Sequence, residues 1–257
     1  MFNLFPRFER GRIMKKELLW ALRDYSYEGL KIQYQDYSNG ILKGLDITVE
    51  EDAVVLGTGM VKFGEFIYLI TEPVRVAYEA TNEYVSLKGR VKVNTSSPDA
   101  ILYGIDFVLD SKLERGENEF EVCRFKLRQG AKLRNHYKAF YDIETEYDTV
   151  NLAQATWSGV GEETMSPVVL KNFAEEIKEC ETVSEQDWNF CFSILNSNRI
   201  SRSNLLFYIR SKKIDIDKGA QNRQIFDELE MIIRKLSGKS MKRGIHSVPR
   251  HDRIIVD

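Results

Sequence analysis

Apolar and polar residues alternate with a period of two along residues 31–138, which predicts a β-rich domain. The alternation is clearest over 38–71, where turns containing glycine separate short apolar runs and favour consecutive antiparallel strands. Over 84–94 the apolar and polar residues take opposite parities, so we expect one buried face and one solvated face. The polar set consists of Ser86, Lys88, Arg90 and Lys92.

Two later stretches of this region add detail to the predicted sheet. Residues 101–109 carry apolar residues on both faces, which favours a central strand. Residues 119–127 change apolar parity after Val122, which predicts a β-bulge at that point. Many short strands with regular turns are typical of an antiparallel β-sandwich or a barrel-like domain.

The C-terminal part has helical periodicity instead and predicts four short helices in a small bundle. Ser166, Ser184 and Ser201 are the expected N-caps of the first three helices, with Pro167 at the first helical position of the first. The fourth helix is expected to begin near Asp217. The residues expected to face the core are Val169, Phe173, Ile177, Cys180, Trp188, Cys191 or Phe192, Leu195, Leu205, Leu206, Ile209, Ile225, Leu229, Ile232 or Ile233, and Leu236.

The N-terminal residues differ from both regions. Residues 1–8 are unusually apolar for a chain terminus, so they are expected either to pack on their own domain or to be buried in a neighbouring subunit. Residues 7–24 carry an amphipathic pattern that predicts a helix. The C-terminal residues are locally basic and are expected either to be flexible or to bind a partner by strand addition.

Together these patterns predict an α+β fold with an N-terminal helix, a β-rich domain and a helical bundle. The predicted parts are an N-terminal arm and helix over 1–27, a β-rich domain over 28–145, a linker over 146–165, a helical domain over 166–236 and a C-terminal tail over 237–257.

Composition narrows the classes of function that remain. The chain has 257 residues, 43% of them hydrophobic, and its net charge of -2 gives no general attraction to nucleic acid or anionic membranes. Its three cysteines have no tight spacing, which favours reduced core residues in a reducing compartment. Neither a signal peptide nor an apolar run of about 18 residues is present, so we expect no export by the general route and no membrane span.

Candidate chemistry is sparse along the chain. The stretch 237–240 ends like a phosphate-binding loop, but the glycine that the motif requires is replaced by Ile233. Gly57 and Gly59 lack the spacing of a dinucleotide fingerprint. His246 and His251 do not share a helical face and are too few to hold zinc. We therefore expect no cofactor and no metal.

Charged clusters give no stronger indication of catalysis. The acidic clusters lie in turn-like polar runs, where solvation is expected to keep them ordinary acids, so no glycosidase pair is predicted. The cationic strand face around Lys88 has only Tyr84 as a stacking partner, which argues against a nucleic-acid platform. We expect no enzyme activity. The acidic residues considered are Glu50, Glu51, Asp52, Glu114, Glu117, Glu119 and Glu121.

Several segments resemble proteins encoded in the tail modules of clostridial prophages and phage-tail-like bacteriocins. The resemblance covers about residues 1–236 and is carried by the segments RIMKKELLWALRDYSYEGLKIQYQDYSNGILKGLDITV, GTGMVKFGEFIYL, YVSLKGRV, FKLRQGAKL, SPVVLKNFAEEIKEC and SRSNLLFYIR.

This resemblance implies a structural protein of a contractile-tail baseplate, or an adaptor between the baseplate and a receptor-binding fibre. It implies several copies per particle, with baseplate, tail and fibre proteins as partners. From the net charge and the lack of an apolar span, we expect neither membrane nor nucleic acid among the partners. Assembly in the host cytoplasm is expected, followed by a place in the virion or released particle.

Composition suggests which residues make the contacts with neighbouring subunits. The alternative functions are a carbohydrate-binding or wall-binding module and, less expected, a nucleic-acid-binding protein. Exposed aromatic residues in a groove would favour the carbohydrate alternative, whereas burial of Tyr34, Tyr37, Tyr68 and Tyr103 would oppose it. The predicted contact residues are Phe2, Leu4, Phe5, Phe8, Arg250, Arg253, Ile254 and Ile255.

Overall fold

The computed structural model describes residues 4, 10, 13, 15–97, 99–197 and 199–238, and this part of the chain has the predicted α+β fold. Nine strands lie between an N-terminal helix and four C-terminal helices in these residues. The elements are α1 (Lys16–Gln33), β1 (Gly40–Gly44), β2 (Ile47–Val49), β3 (Ala53–Leu56), β4 (Gly59–Phe63), β5 (Phe66–Ile70), β6 (Val74–Ala77), β7 (Tyr84–Asn94), β8 (Leu102–Asp110), β9 (Glu119–Lys126), a 3-10 helix (Phe140–Glu144), α2 (Pro167–Lys178), α3 (Glu185–Asn196), α4 (Arg202–Ser211) and α5 (Asn222–Leu236).

The strands form three antiparallel sheets of three strands each, in the orders β1-β4-β5, β2-β3-β6 and β8-β7-β9. Within the described residues these sheets do not close into a barrel. Their apolar side chains and those of the four C-terminal helices join one core that extends from Ile41 to Ile233.

The bulge predicted in β9 is confirmed. Leu87 of β7 pairs with Cys123, whereas the next residue, Lys88, pairs with Glu121. Val122 is therefore the extra residue, and its side chain is buried together with those of its neighbours. The extra residue explains why the apolar parity of β9 changes in the sequence.

The prediction of a central strand over 101–109 is wrong, because β7 lies in the middle of its sheet and β8 lies at the edge. β9 pairs with β7 only as far as Arg90, whereas β8 continues to Asn94. Residues 91–94 and 102–105 thus extend beyond the third strand as a two-stranded ribbon. Apolar residues at the start of β8 are exposed for this reason.

The prediction of a solvated polar face on β7 is wrong for Ser86 and Lys88, which are fully buried. Alternation reports only that one face is more polar than the other. Here Lys88 finds its partners in Asp110 of β8, in Glu119 of β9 and in Glu114 between these strands.

The first three helices of the C-terminal bundle begin at the predicted residues. Ser166 accepts a hydrogen bond from the backbone of Val168, and Pro167 opens α2. Ser184 and Asp187 form a capping box at α3, and Ser201 caps α4.

The fourth helix of the bundle begins at Asn222, not near Asp217. The carboxylate of Asp217 accepts a hydrogen bond from the backbone of Gly219 at 2.6 Å, so it stabilises a turn. Gln221 and Gln224 form the capping box of α5 instead. Aspartate is favoured both at helix N-caps and in turns, so the residue type alone could not show that Asp217 lies in a turn.

The predicted burial of Trp188 and Leu195 is wrong, because both lie on the exposed side of α3. The buried side consists of Asp187, Phe190, Cys191 and Ile194. α3 has apolar residues on two sides, and only one of them packs on α2. Periodicity alone could not choose between these sides.

The N-terminal helix is displaced from the predicted range of 7–24. α1 begins at Lys16, and Arg10, Ile13 and Lys15 lie outside it. The helix continues through Gly29 to Gln33, since a helix tolerates one glycine at about 1 kcal/mol. Among the described residues, no helix is long and apolar enough to cross a bilayer.

The segment predicted as a linker, 146–165, is largely buried. The backbone N–H of Ile41 in β1 donates to the carbonyl of Thr156, and the carbonyl of Ile41 accepts from the backbone N–H of Ser158. Asn151 exchanges two backbone hydrogen bonds with Arg124 in β9. We name residues 148–165 the strap. The boundaries of the predicted domains stay a prediction.

Gly89 makes a sharp test of packing in the β8-β7-β9 sheet. A Cβ atom there would lie 2.2 Å from the ring of Phe120, whose side chain is fully buried. We expect Gly89→Ala to destabilise the protein by about 1–3 kcal/mol, measured by urea unfolding.

Gly104 in the adjacent strand is the matched control, because nothing lies within 4 Å of its Cβ position. Gly104→Ala is expected to change the free energy of unfolding by less than about 0.5 kcal/mol. Equal effects of the two substitutions would contradict the packing described for Phe120.

Candidate protein-interaction surface

The predicted contact residues fall mainly at the two ends of the chain. Leu4 is described, and 51% of its surface is exposed. The other seven lie outside the described residues, so their role stays a prediction. These seven are Phe2, Phe5, Phe8, Arg250, Arg253, Ile254 and Ile255.

Among the described residues, helix α1 carries six exposed large apolar side chains. None of the 18 residues of this helix is buried. Tyr25 is 74% exposed and Ile32 is 64% exposed, although both are large apolar side chains. An isolated helix of this length is marginal in water without packing of an apolar face. The exposed apolar side chains of α1 are Leu19, Trp20, Leu22, Tyr25, Tyr27 and Ile32.

α1 is fixed to the rest of the protein by a few contacts with β5. The ring of Tyr27 lies 5.9 Å from that of Phe66, and the amine of Lys31 donates to Glu65 at 2.8 Å. These contacts orient the helix but leave most of its apolar surface free. Exposed apolar residues grouped on one helix are a candidate interaction surface.

A groove of about 900 Å³ lies between α1, β5 and the ribbon of β7 and β8. The rings of Phe66 and Tyr103 stack in it at 3.8 Å, and Tyr68 meets both edge-on. Leu22, Leu69 and Val93 add further apolar surface. We name this feature the aromatic groove.

The four tyrosines whose burial would oppose carbohydrate binding differ in solvent exposure. Tyr68 is buried, and Tyr34 and Tyr37 are half-buried, which opposes a sugar site at these residues. Tyr103 is exposed and lies in the aromatic groove near Tyr27. The groove therefore keeps the carbohydrate alternative open on different residues from most of those considered in the sequence.

A second, polar cleft of about 840 Å³ lies where β9 and the strap meet α4 and α5. Arg124 forms a two-pronged bond with Glu121, and Arg115 donates to Glu163 at 2.8 Å. Arg202 donates to Asn222 at 3.0 Å. Arg124 is bonded three residues away, whereas the partners of Arg115 and Arg202 lie 48 and 20 residues away, so the sequence gives no sign of how these three arginines come together.

A fully buried lysine organises the acidic residues beside this cleft. The amine of Lys88 lies 3.3 Å from a carboxylate oxygen of Glu119 and 3.5 Å from one of Asp110. It also donates to the carbonyl of Glu114 at 2.6 Å. Arg90 donates to both Glu119 and Asp110. Two cations and two carboxylates thus form one network.

Of the seven acidic residues expected to be solvated, Glu119 and Glu121 are not, whereas the other five are exposed. The backbone N–H of Gly116, followed by Arg90 and Lys88, lowers the pKa of Glu119 to about 2. Glu121 is buried as well. The cations of β7 that were considered for nucleic-acid binding are all paired with carboxylates, because Lys92 forms an ion pair with Asp106 and the other two belong to the network.

Glu144 has the opposite shift. Burial raises its pKa to about 7, the negative charges of Asp227 and Glu230 add to the rise, and Arg223 at 3.0 Å opposes it. A carboxyl that titrates near neutrality is suited to acid–base chemistry, but a structural ion-pair network shifts pKa values too. No group of three or more metal-ligating side chains occurs in the described ranges.

Comparison with known proteins gives no basis for inferring a function. No protein-family model matches the chain, and no curated protein matches it. Among solved structures, the crystal structure of TssK is similar with a TM-score of 0.43 and 10% identity, over 89% of this chain and 71% of that chain. A likeness of this strength carries no inference about function.

Removing the charge of Glu119 tests the buried network. The folded pKa of about 2 lies below the ordinary value of 4.5, so the carboxylate stabilises the fold above pH 4.5 and loses this effect as the pH falls toward 2. We expect Glu119→Gln to lower the free energy of unfolding at pH 7 by about 1–2 kcal/mol.

Chemical denaturation at pH 7 and at pH 3 measures this effect, with exposed Glu117→Gln as the control. The difference between Glu119→Gln and the parent protein should shrink at the lower pH. A loss that is the same at both pH values would show that the charge of Glu119 does not stabilise the fold.

Proposed function

We propose that this protein is a structural component of a contractile-tail baseplate and that it links the baseplate to a tail fibre or receptor-binding protein. The exposed apolar surface of α1 is the observation that carries the proposal. The resemblance to tail-module proteins over residues 1–236 supports the kind of assembly.

The size of α1 fits a subunit contact. A helix of 18 residues is about 27 Å long, and one side of a standard interface buries about 800 Å². Trp20, Tyr25 and Tyr27 supply the large aromatic side chains that dominate binding energy at interfaces. The aromatic groove beside α1 extends the same surface.

The proposal assigns no catalytic step and no cofactor to the protein. Its partners are other baseplate and tail proteins and the fibre, and each particle contains several copies. Assembly takes place in the host cytoplasm, after which the protein is part of the virion or the released tail particle. The arginines of the polar cleft are bonded within the chain, which fits a structural role for that cleft.

Charge placed on α1 tests the proposal. Trp20→Glu is expected to lower incorporation into tail particles by about tenfold or more, because a carboxylate would have to be buried at the contact. Co-expression with a set of contractile-tail baseplate, tube and fibre proteins, followed by particle purification and quantitative mass spectrometry, measures incorporation.

Tyr141→Glu is the matched control, since Tyr141 is 48% exposed and Trp20 is 49% exposed. Tyr141 lies on the 3-10 helix and not on α1. Both variants should keep the melting temperature of the parent. Equal incorporation of the two variants would remove α1 from the proposed interface.

A carbohydrate-binding function is the second candidate, favoured by the exposed rings of Tyr27 and Tyr103 in the aromatic groove. Aromatic faces provide large apolar contacts of defined geometry. On this candidate, Tyr103→Ala abolishes retention on cell-wall polysaccharide, whereas Tyr141→Ala does not. Failure of the parent protein to be retained by a panel of wall glycans would eliminate the candidate.

A further inference from the structure

The outward side of α3 carries a row of apolar residues that the core does not use. Trp188, Phe192 and Leu195 follow the i, i+4, i+7 spacing of one helical face, and all three are exposed. The rings of Trp188 and Phe192 lie 6.2 Å apart. The opposite side of α3 is already packed, with Phe190 stacked on Tyr208 at 3.9 Å. We name the exposed row the α3 ridge.

The described chain ends next to this ridge. The carbonyl of Leu236, the last residue of α5, accepts a hydrogen bond from the hydroxyl of Thr182 at 2.8 Å. Thr182 lies two residues before Ser184, the N-cap of α3. Residues after Gly238 therefore begin close to the N-terminal end of the ridge.

The remaining sequence is long enough to cover the ridge. Residues 239–257, here called the C-terminal segment, span about 60 Å if fully extended, whereas Trp188 and Leu195 lie about 10 Å apart along the axis of α3. The segment contains Met241, Ile245 and Val248, followed by the apolar run 254–256. Its length and apolar residues suit an exposed apolar strip.

Charge complementarity points to the same segment. Glu179, Glu181 and Glu185 surround the turn that leads into α3, are exposed, and form no ion pair with any residue that the structure describes. The C-terminal segment contains five Lys and Arg residues against two Asp residues. A basic segment with apolar residues thus begins beside an acidic turn and an apolar row.

We propose that the C-terminal segment binds the α3 ridge of its own molecule. Its apolar residues cover Trp188, Phe192 and Leu195, while its basic residues lie against the glutamates of the preceding turn. Attachment through α5 keeps the segment at high effective concentration near the ridge, which favours binding in the same molecule over binding to another copy. The contact closes an apolar surface of the helical bundle, and it does not depend on the function proposed above.

Acrylamide quenching of Trp188 fluorescence tests the contact. The full chain is compared with a chain that ends at Gly238, and the Trp188→Phe version of each isolates the signal of Trp188. Removal of the segment should raise the quenching of Trp188 by about twofold, because a bound segment covers the outer face of the ring. A synthetic peptide of residues 239–257 should restore the protection.

A variant of the full chain guards against indirect effects of truncation. Ile254→Asp with Ile255→Asp leaves every described residue unchanged, and it should raise quenching as truncation does. Unchanged quenching in both the truncated chain and this variant would overturn the proposal. Protection that grows with protein concentration, together with a dimeric mass, would also overturn it in favour of binding between copies.

Peptide binding to the chain ending at Gly238 locates the site. Phe192→Asp should weaken binding of the labelled peptide by about tenfold or more, measured by fluorescence anisotropy. Ile101→Asp is the matched control and should leave binding unchanged, since Ile101 and Phe192 are both 55% exposed and Ile101 lies just before β8, away from α3 in the sequence.

The acidic turn is tested in the same assay. Glu181→Lys with Glu185→Lys should weaken peptide binding at low salt and reduce its salt dependence. Circular dichroism melting of each variant verifies that the bundle is folded. Equal affinity of the parent, the Phe192 variant and the glutamate variant would contradict binding at the α3 ridge.

Discussion

Hydrogen bonds made by the strap hold the sheets and the helical bundle around one core. Thr156 donates its backbone N–H to Glu121 of β9 at 2.8 Å, and its carbonyl accepts from Ile41 of β1 at 2.9 Å. On the other side, the amide of Asn222 at the start of α5 donates to the carbonyls of Ala155 and Thr164. An unpaired buried backbone group is costly, so these bonds fix the strap and the elements on both sides of it.

Two buried charged side chains, Lys88 and Asp187, are paired within the fold. Lys88 shares its carboxylate partners with Arg90 in the β part, and the buried Asp187 accepts from Lys212 and Tyr208 at 2.6 Å in the bundle. Buried ions are tolerated when they are paired in this way. The apolar side chains of α1 and of the α3 ridge belong to neither network nor to the core. They are the surfaces that the fold leaves available for other chain segments.

The sequence predicted what depends on neighbouring residues and missed what depends on distant ones. The bulge at Val122 and the caps at Ser166, Ser184 and Ser201 follow from local parity and local hydrogen bonding, and each was predicted correctly. The burial of Lys88 could not be predicted, because Glu114 and Glu119 approach it from more than 25 residues away. The edge position of β8 and the exposed side of α3 likewise depend on which neighbours pack against them. Seven of the eight predicted contact residues lie outside the described residues and stay a prediction, whereas the exposure of the apolar side chains of α1 became known only from the structure.

The central claim is that α1 binds a neighbouring subunit. Hydroxyl-radical footprinting with mass spectrometry measures the oxidation of each side chain in the isolated protein and in the purified assembly. The account predicts that Trp20, Tyr25 and Tyr27 react readily in the isolated protein and are protected in the assembly, while Tyr141 reacts equally in both. Equal oxidation of the three α1 residues in the two states would contradict it.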